Sequence, residues 1–269
     1  MVKNRDSITN TILVALGVCL VCATLVSVAA VGLRSMQQTN KLKDKKKNIL
    51  AAAGLMENDP DVNELYDSMI MDRIVNLKTG QDVTEQFLAD HPEYETAADF
   101  DQIDVAESEK STEAHRLDQD PATIKWQENH SHVYIVRTSS DDDTPAMYVF
   151  PIRGKGLWSI LKGFIALDAD LETIQGITYY EHAETPGLGG EVDNPEWKAS
   201  WQGKLLYDEN GKVAMRLLKT GAEGNPHAVD SLSGATITAR GVEKMLEFWM
   251  SDTGFEPYLR TLTARESAQ

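Results

Sequence analysis

The segment Asp230-Ser231-Leu232-Ser233-Gly234-Ala235-Thr236-Ile237-Thr238 is the part of the chain best suited to chemistry. Several small residues in a row let a ligand approach the backbone, and the N–H groups at a helix start attract a phosphate. From Thr238 the pattern TARGVEKMLEFWMSDTG sets Val242, Met245, Leu246 and Trp249 at helical spacing. This predicts an amphipathic helix closed by Gly254. A threonine at such a junction is exposed in the loop and close to the favourable end of the helix dipole, where its hydroxyl can become a phosphoester. Thr236 and Thr238 both meet that description. The plainer reading of the same two residues is a helix cap whose hydroxyl accepts an N–H bond.

Two other glycine-rich runs stand out. In Glu184-Thr185-Pro186-Gly187-Leu188-Gly189-Gly190-Glu191, Pro186 fixes one dihedral and the glycines allow turns and close backbone approach. Such a run is either a tight strand connection or a flat wall for a planar ring, with Leu188 as its one large apolar side chain. In Gly154-Lys155-Gly156-Leu157-Trp158-Ser159, the pair Leu157 and Trp158 either completes the core, the simpler reading, or covers an aromatic cofactor. Metal chemistry has little support: the six histidines, His130, His132, His182 and His227 among them, lack close ligand spacing.

The elements around these runs read as α+β, with a mainly antiparallel curved sheet and flanking helices. HVYIVRT (132–138) and AMYVFPI (146–152) are strand-like around the turn SSDDDTP, and segments 161–170 and 173–183 continue that character. Segments 203–208 and 211–219 resemble a hairpin around Glu209-Asn210-Gly211. Upstream, 47–57 reads as helix, Asn58-Asp59-Pro60 as a break, and 61–77 as a second helix with Val62, Leu65, Met69, Ile70, Ile74 and Leu77 in a stripe. Residues 82–118 read as loop or short helix. A doubly wound dinucleotide fold is disfavoured, since neither strand–helix alternation nor a G-x-G-x-x-G turn occurs.

Thr11–Leu33 is an uncharged apolar run of 23 residues. As a helix it covers roughly 34 Å, enough for a bilayer core of about 30 Å. Lys3, Arg5 and the small residues Ser27, Ala29 and Ala30 raise the alternative of a cleaved signal peptide. The run is longer than the usual core of about 7–15 residues and ends on Leu33-Arg34, which favours a retained anchor. The expected organisation is a short segment at 1–10, a transmembrane anchor at 11–33, a basic juxtamembrane linker and helix at 34–60, and a water-facing domain at 61–269. Cys19 and Cys22 lie inside the anchor as ordinary apolar helix residues, so the domain has neither a disulfide nor a thiolate-held iron–sulfur cluster. Beyond residue 47 the chain carries 18 basic and 40 acidic side chains, a formal charge of −22. That charge argues against nucleic acid as a partner. The lysines at 41–47 form an interfacial collar or meet lipid headgroups. Counted alone, they would keep the domain in the cytoplasm.

DSLSGATIT resembles the flavin-attachment motif of the FMN-binding subunits of respiratory and electron-bifurcating complexes. With GKGLWS, ETPGLGGE and NPEWKASWQGK, the sequence looks like the C subunits of the sodium-translocating NADH:quinone reductases, over nearly its whole length and including the GFEPYLR tail. The resemblance implies FMN joined covalently through its phosphate to Thr236, with Thr238 the nearby competitor. Asp230 would begin the segment that a flavin transferase reads during maturation, and Ser233, Gly234 and Ala235 would shape the approach to the hydroxyl. Thr185, Gly187 and Leu188 would meet the isoalloxazine ring, with Leu157 and Trp158 supporting the pocket. The implied role is a one-electron carrier between an iron centre of neighbouring subunits and the covalent FMN of another, in a complex that oxidises NADH, reduces ubiquinone and exports sodium. Direct binding of NADH or quinone by this chain is not expected. Against the charge count, the resemblance implies a single pass through a bacterial inner membrane with the domain in the periplasm. The alternatives are the FMN subunit of a ferredoxin:NAD-linked electron-transport complex and a cofactor-free anchored binding module.

Overall fold

A computed structural model describes residues 8–56, 60–108 and 111–266 of the chain. Lys3, Arg5 and the break at Asn58-Asp59 lie outside the described residues. The chain divides into two compact units, Met1–Asp44 and Lys45–Gln269. Helix α1 (Ile8–Ala52) is 45 residues long without interruption. Its apolar part is long enough to cross a membrane, with Leu13, Leu16, Leu20 and Leu25 all facing outward. The second unit begins within the last turns of α1, where Ile49, Leu50 and Ala52 are buried.

Helix α2 (Val62–Met69) starts at Asp61, whose carboxylate accepts from the N–H groups of Asn63 and Glu64. It stops eight residues short of the end expected for a helix over 61–77. Ile70–Asn76 is instead strand β1, paired along its whole length with a partner more than fifty residues away. Its Ile74 and Val75 are β-branched and fully buried, and long-range pairing overrides a stripe that also fits helical spacing. Then come β2 (Gln81–Asp82), α3 (Thr84–Asp90), α4 (Gln102–Glu107), β3 (Ala114–Arg116) and β4 (Trp126–Glu128). Four long strands follow: β5 (His130–Ser139), β6 (Asp142–Lys155), β7 (Ile160–Asp168) and β8 (Ile174–Glu181). The remainder comprises α5 (Pro195–Ala199), β9 (Arg216–Leu218), β10 (Ala228–Asp230), α6 (Thr236–Trp249) and α7 (Glu256–Glu266).

The main sheet has the order β2-β1-β5-β6-β7-β8, with every neighbouring pair antiparallel. It is open, with β2 and β8 as its edges, and this corrects the curved sheet expected from the sequence. The sheet buries its two faces by layering rather than by curling. On one face, Phe150, Ile152, Ile165 and Leu167 pack in a core with Val242, Met245, Leu246 and Trp249 of α6. On the other, Tyr134, Val149, Phe164 and Ala166 pack with Ile49, Leu50 and Tyr66. Successive strand residues point to opposite faces, so two covered faces make β7 apolar almost throughout. At the β2 edge, Thr261 of α7 donates from its hydroxyl to the Gly80 carbonyl at 3.1 Å.

The end of α1 belongs to this packing. Thr178 Oγ1 donates to the Asn48 carbonyl at 3.1 Å, and a Cβ on Gly176 would collide with the Ala52 carbonyl oxygen. We expect Gly176→Ala to destabilise the domain by about 1–3 kcal/mol, the range for overpacking a rigid backbone contact. Urea unfolding monitored by tryptophan emission measures it.

Two other expectations are corrected. The hairpin around Asn210-Gly211 reduces to a bridge between Tyr207 and Val213, closed by Asp208 accepting from the N–H groups of Asn210 and Lys212. The flanking residues are drawn elsewhere: Leu205 bridges to Thr173, and β9 pairs in parallel with β10. The last amphipathic helix starts at Thr236 and ends at Trp249, ahead of Gly254. Gly254 serves the following turn, where Phe255 N–H donates to the Trp249 carbonyl at 2.7 Å and a Cβ at 254 would strike that carbonyl.

Candidate functional site

The three glycine-rich runs meet at the N-terminus of α6. In the first, Gly234 has φ +71°, and Ala235 takes the cap position, supplying no side-chain cap. Thr236 is half-buried at the first helical position. Thr238 is fully buried, and its Oγ1 donates to Glu184 Oε2 at 2.6 Å. Neither threonine is the cap, so the helix starts with N–H groups that no side chain of its cap residue satisfies. Asp230, Ser233 and Gly234 are exposed and Ala235 is buried. The Asp230 carbonyl accepts from Trp197 Nε1 at 2.9 Å, and Trp197 stands edge-on to Trp201, so the NPEWKASW run fixes the approach to α6.

The second run turns at Gly187, φ +76°, where the Thr185 carbonyl accepts from Leu188 N–H at 3.1 Å and Gly190 N–H at 3.0 Å. Thr185 and Gly187 are exposed. A Cβ on Gly234 would lie 2.9 Å from Leu188 Cδ2, which places this turn directly against the first run. The third run links β6 to β7, closed by Gly156 N–H donating to the Ser159 carbonyl at 2.9 Å. A Cβ on Gly241 of α6 would collide with the Lys155 carbonyl, so helix and turn touch backbone to backbone.

The large apolar side chains here face outward. Leu157 is 41% exposed, Trp158 66%, Leu188 43% and Ile237 57%. Among the described residues of the second unit these four are the exposed large hydrophobic side chains, and all four lie on the three runs that meet at the start of α6. This corrects the simpler reading of Leu157 and Trp158 as core residues. An apolar shelf beside an uncapped helix start suits a ligand with a planar ring and an anionic group. The broader cavity of about 690 Å³ lined by Glu113, His115, His130 and Asp252 shares no residue with these runs.

Glu184 joins the three runs and was not singled out by sequence reasoning. Its Oε1 accepts from the N–H groups of Trp158 at 2.9 Å and Ser159 at 3.1 Å, and its Oε2 from Leu157 N–H at 3.2 Å and from Thr238. The available signal was a pair of glycines: a Cβ on Gly156 would lie 2.7 Å from Oε1, and one on Gly189 2.7 Å from Oε2. Burial pushes the Glu184 carboxyl up, but the hydrogen bonds from Thr238, Trp158, Ser159 and Leu157 outweigh it and hold the group below the ordinary glutamate range. A carboxyl lowered on folding contributes stability that is complete above the ordinary range and is lost as pH falls through it towards the folded value. The thermal midpoint should therefore drop on acidification across that window, and drop less in Glu184→Gln, as pH-scanned thermal unfolding would show.

The FMN-binding domain family matches residues 156–251, from the turn before Leu157 to just past α6. The C subunit of the Na(+)-translocating NADH-quinone reductase of Vibrio parahaemolyticus is 43% identical, over 96% of this chain and 97% of its own. The same subunit of Yersinia pestis is 42% identical over 99% of this chain and 96% of its own. The crystal structure of Shewanella oneidensis NqrC superposes with a TM-score of 0.75 at 34% identity, covering 84% of this chain and 99% of that one.

Proposed function

The protein belongs to the family of C subunits of the Na(+)-translocating NADH-quinone reductases, and on that premise we propose that it carries electrons on an FMN joined through its phosphate to Thr236. The observation that carries this reading is the half-buried Thr236 at an uncapped helix start, where the three runs bearing the four exposed apolar side chains meet. The N–H groups at the start of α6 would hold the phosphate, whose negative charge the helix dipole favours. Leu157, Trp158 and Leu188 offer an apolar surface to the isoalloxazine ring, with Thr185 and Gly187 beside it. Gly234 and Ser233 leave the approach to the hydroxyl open, and Asp230 begins the segment presented to the transferase. FMN, when bound, supplies electron uptake and release one electron at a time.

Attachment is a phosphoryl transfer without redox change. The Thr236 hydroxyl would be the acceptor: its Oγ1 would bond to the phosphorus of a nucleotide-activated FMN as the nucleotide leaving group departs into the transferase, which would also take the hydroxyl proton. Thr238 competes poorly, since its hydroxyl is buried and donates to a carboxylate. Within the complex, α1 anchors the subunit in the inner membrane, the acidic domain faces the periplasm, and electrons pass between neighbouring subunits. NADH and quinone bind elsewhere in the assembly.

The test is production of the full chain with a flavin transferase, followed by acid denaturation and separation of free flavin. Flavin colour and the mass of FMN less water should stay with the polypeptide. Release of all flavin, under conditions that modify a known acceptor, removes the covalent carrier.

A further inference from the structure

Glu184 sits where no charge is needed to complete a strand connection. It is 6% exposed, and all four hydrogen bonds of its carboxylate tighten one run against another. Its own backbone is fixed from behind: Glu184 N–H donates to His182 Nδ1 at 3.2 Å, while His182 Nε2 meets Asp193 Oδ2 at 2.8 Å. The adjacent Ala183 N–H donates to Ser159 Oγ at 2.8 Å, a second tie to the turn between β6 and β7. Two glycines from separate runs leave room for the carboxylate, and neither position tolerates a Cβ without moving it. The turn bearing Leu157 and Trp158 is thus held to α6 through this one side chain as well as by direct packing.

We infer that Glu184 is the positioning residue of the flavin pocket: its carboxylate fixes the Leu157–Ser159 turn to α6, setting the ring's apolar wall relative to Thr236 and a negative charge behind that wall. The inference rests on Thr236 as the flavin attachment point. Three consecutive N–H groups aimed at one anion make the turn rigid, because hydrogen bonds to a charged acceptor are the stronger kind. A rigid wall keeps the ring environment uniform. A nearby anion makes electron uptake less favourable, so its removal moves the flavin potential in the positive direction.

The experiment uses the full chain in detergent, with and without flavin, as wild type, Glu184→Gln, Glu184→Asp and Thr238→Val. In the flavin-free chain, Glu184→Gln should accelerate amide exchange at Leu157, Trp158 and Ser159 by about tenfold or more, the effect of losing a hydrogen bond to a charged acceptor. In the loaded chain its midpoint potential should move positive, and Glu184→Asp should return it towards wild type. Exchange less than about threefold faster, or an unmoved potential, overturns the inference. If Glu184→Gln does not accumulate, Thr238→Val decides: it removes one of the two donors to Oε2, and exchange at Leu157 must then change or the inference falls. Failure of the wild type to take flavin would sink the attachment reading instead, while the exchange data on the flavin-free chain still report on the clamp.

Discussion

Thr236→Val should abolish covalent flavin, leaving a colourless polypeptide of unmodified mass after co-production with the transferase. Valine preserves the branched shape at the first position of α6 and removes only the hydroxyl, so the loss cannot be assigned to unfolding if the thermal midpoint stays near that of the flavin-free wild type. Thr236 is half-buried at the first helical position, and valine occupies nearly the same volume there. Thr238→Val is the informative contrast. Two positions along a helix do not share a face, and Thr238 points to Glu184 rather than to the opening. Its substitution should reduce stability by about 1.5–3 kcal/mol, the worth of a hydrogen bond to a charged group. Flavin should still map to Thr236 in that variant. Peptide mapping checks both outcomes, and flavin on Thr238 in the Thr236→Val chain would reverse the assignment.

The largest loss of stability should come from Arg153→Met. Arg153 on β6 donates to Glu128 through Nη1 at 2.9 Å and Nη2 at 2.5 Å, and Glu128 is fully buried. The guanidinium also lies 4.9 Å from the Trp249 ring centroid, and Trp249 Nε1 donates to the Arg153 carbonyl at 2.7 Å. Methionine fills much of the volume but leaves a carboxylate buried without its cation, a change that costs about 3–5 kcal/mol. Against a total stability of about 5–15 kcal/mol for a domain, this is enough to unfold a large share of the molecules on mild heating. Pairing it with Glu128→Leu should recover most of the loss, because replacing both charges by apolar groups removes the penalty together with the attraction. Urea unfolding of the two single variants and the double variant gives the coupling directly. Additive losses would show that Arg153 acts by packing on Trp249 and not by pairing with Glu128.

Local signals served well where each residue's role depended on its neighbours in sequence. The apolar run Thr11–Leu33, the strands β5 to β8 and the helical spacing of Val242, Met245, Leu246 and Trp249 all reflect side-chain periodicity. The glycine-rich runs were legible for the same reason: glycine marks places where backbone geometry or close approach excludes a side chain. What each glycine accommodates was not legible. Gly189 was read as turn freedom or part of a flat wall, and Gly156 only as leading into Leu157 and Trp158, yet both make room for Glu184. Helix 61–77 failed at Ile70 because Ile70, Ile74 and Leu77 continue a helical stripe, and only the long-range pairing with β5 makes Ile70–Asn76 a strand. The parallel pairing of β9 with β10 was hidden by an Asn-Gly turn whose local preference was satisfied without strands forming around it.

Composition and near-neighbour contacts were enough to read the apolar helix long enough to cross a membrane, the acidic character of the domain, the α+β class and the three runs of the candidate site. Only the tertiary structure decided that the sheet stays open, that Leu157 and Trp158 face outward, and that Glu184 binds the three runs together across α6. Those outcomes depend on residues tens of positions apart meeting in a packed interior. There the hydrogen bonds of one carboxylate and the absence of a Cβ at two glycines are set by distances that no local pattern contains.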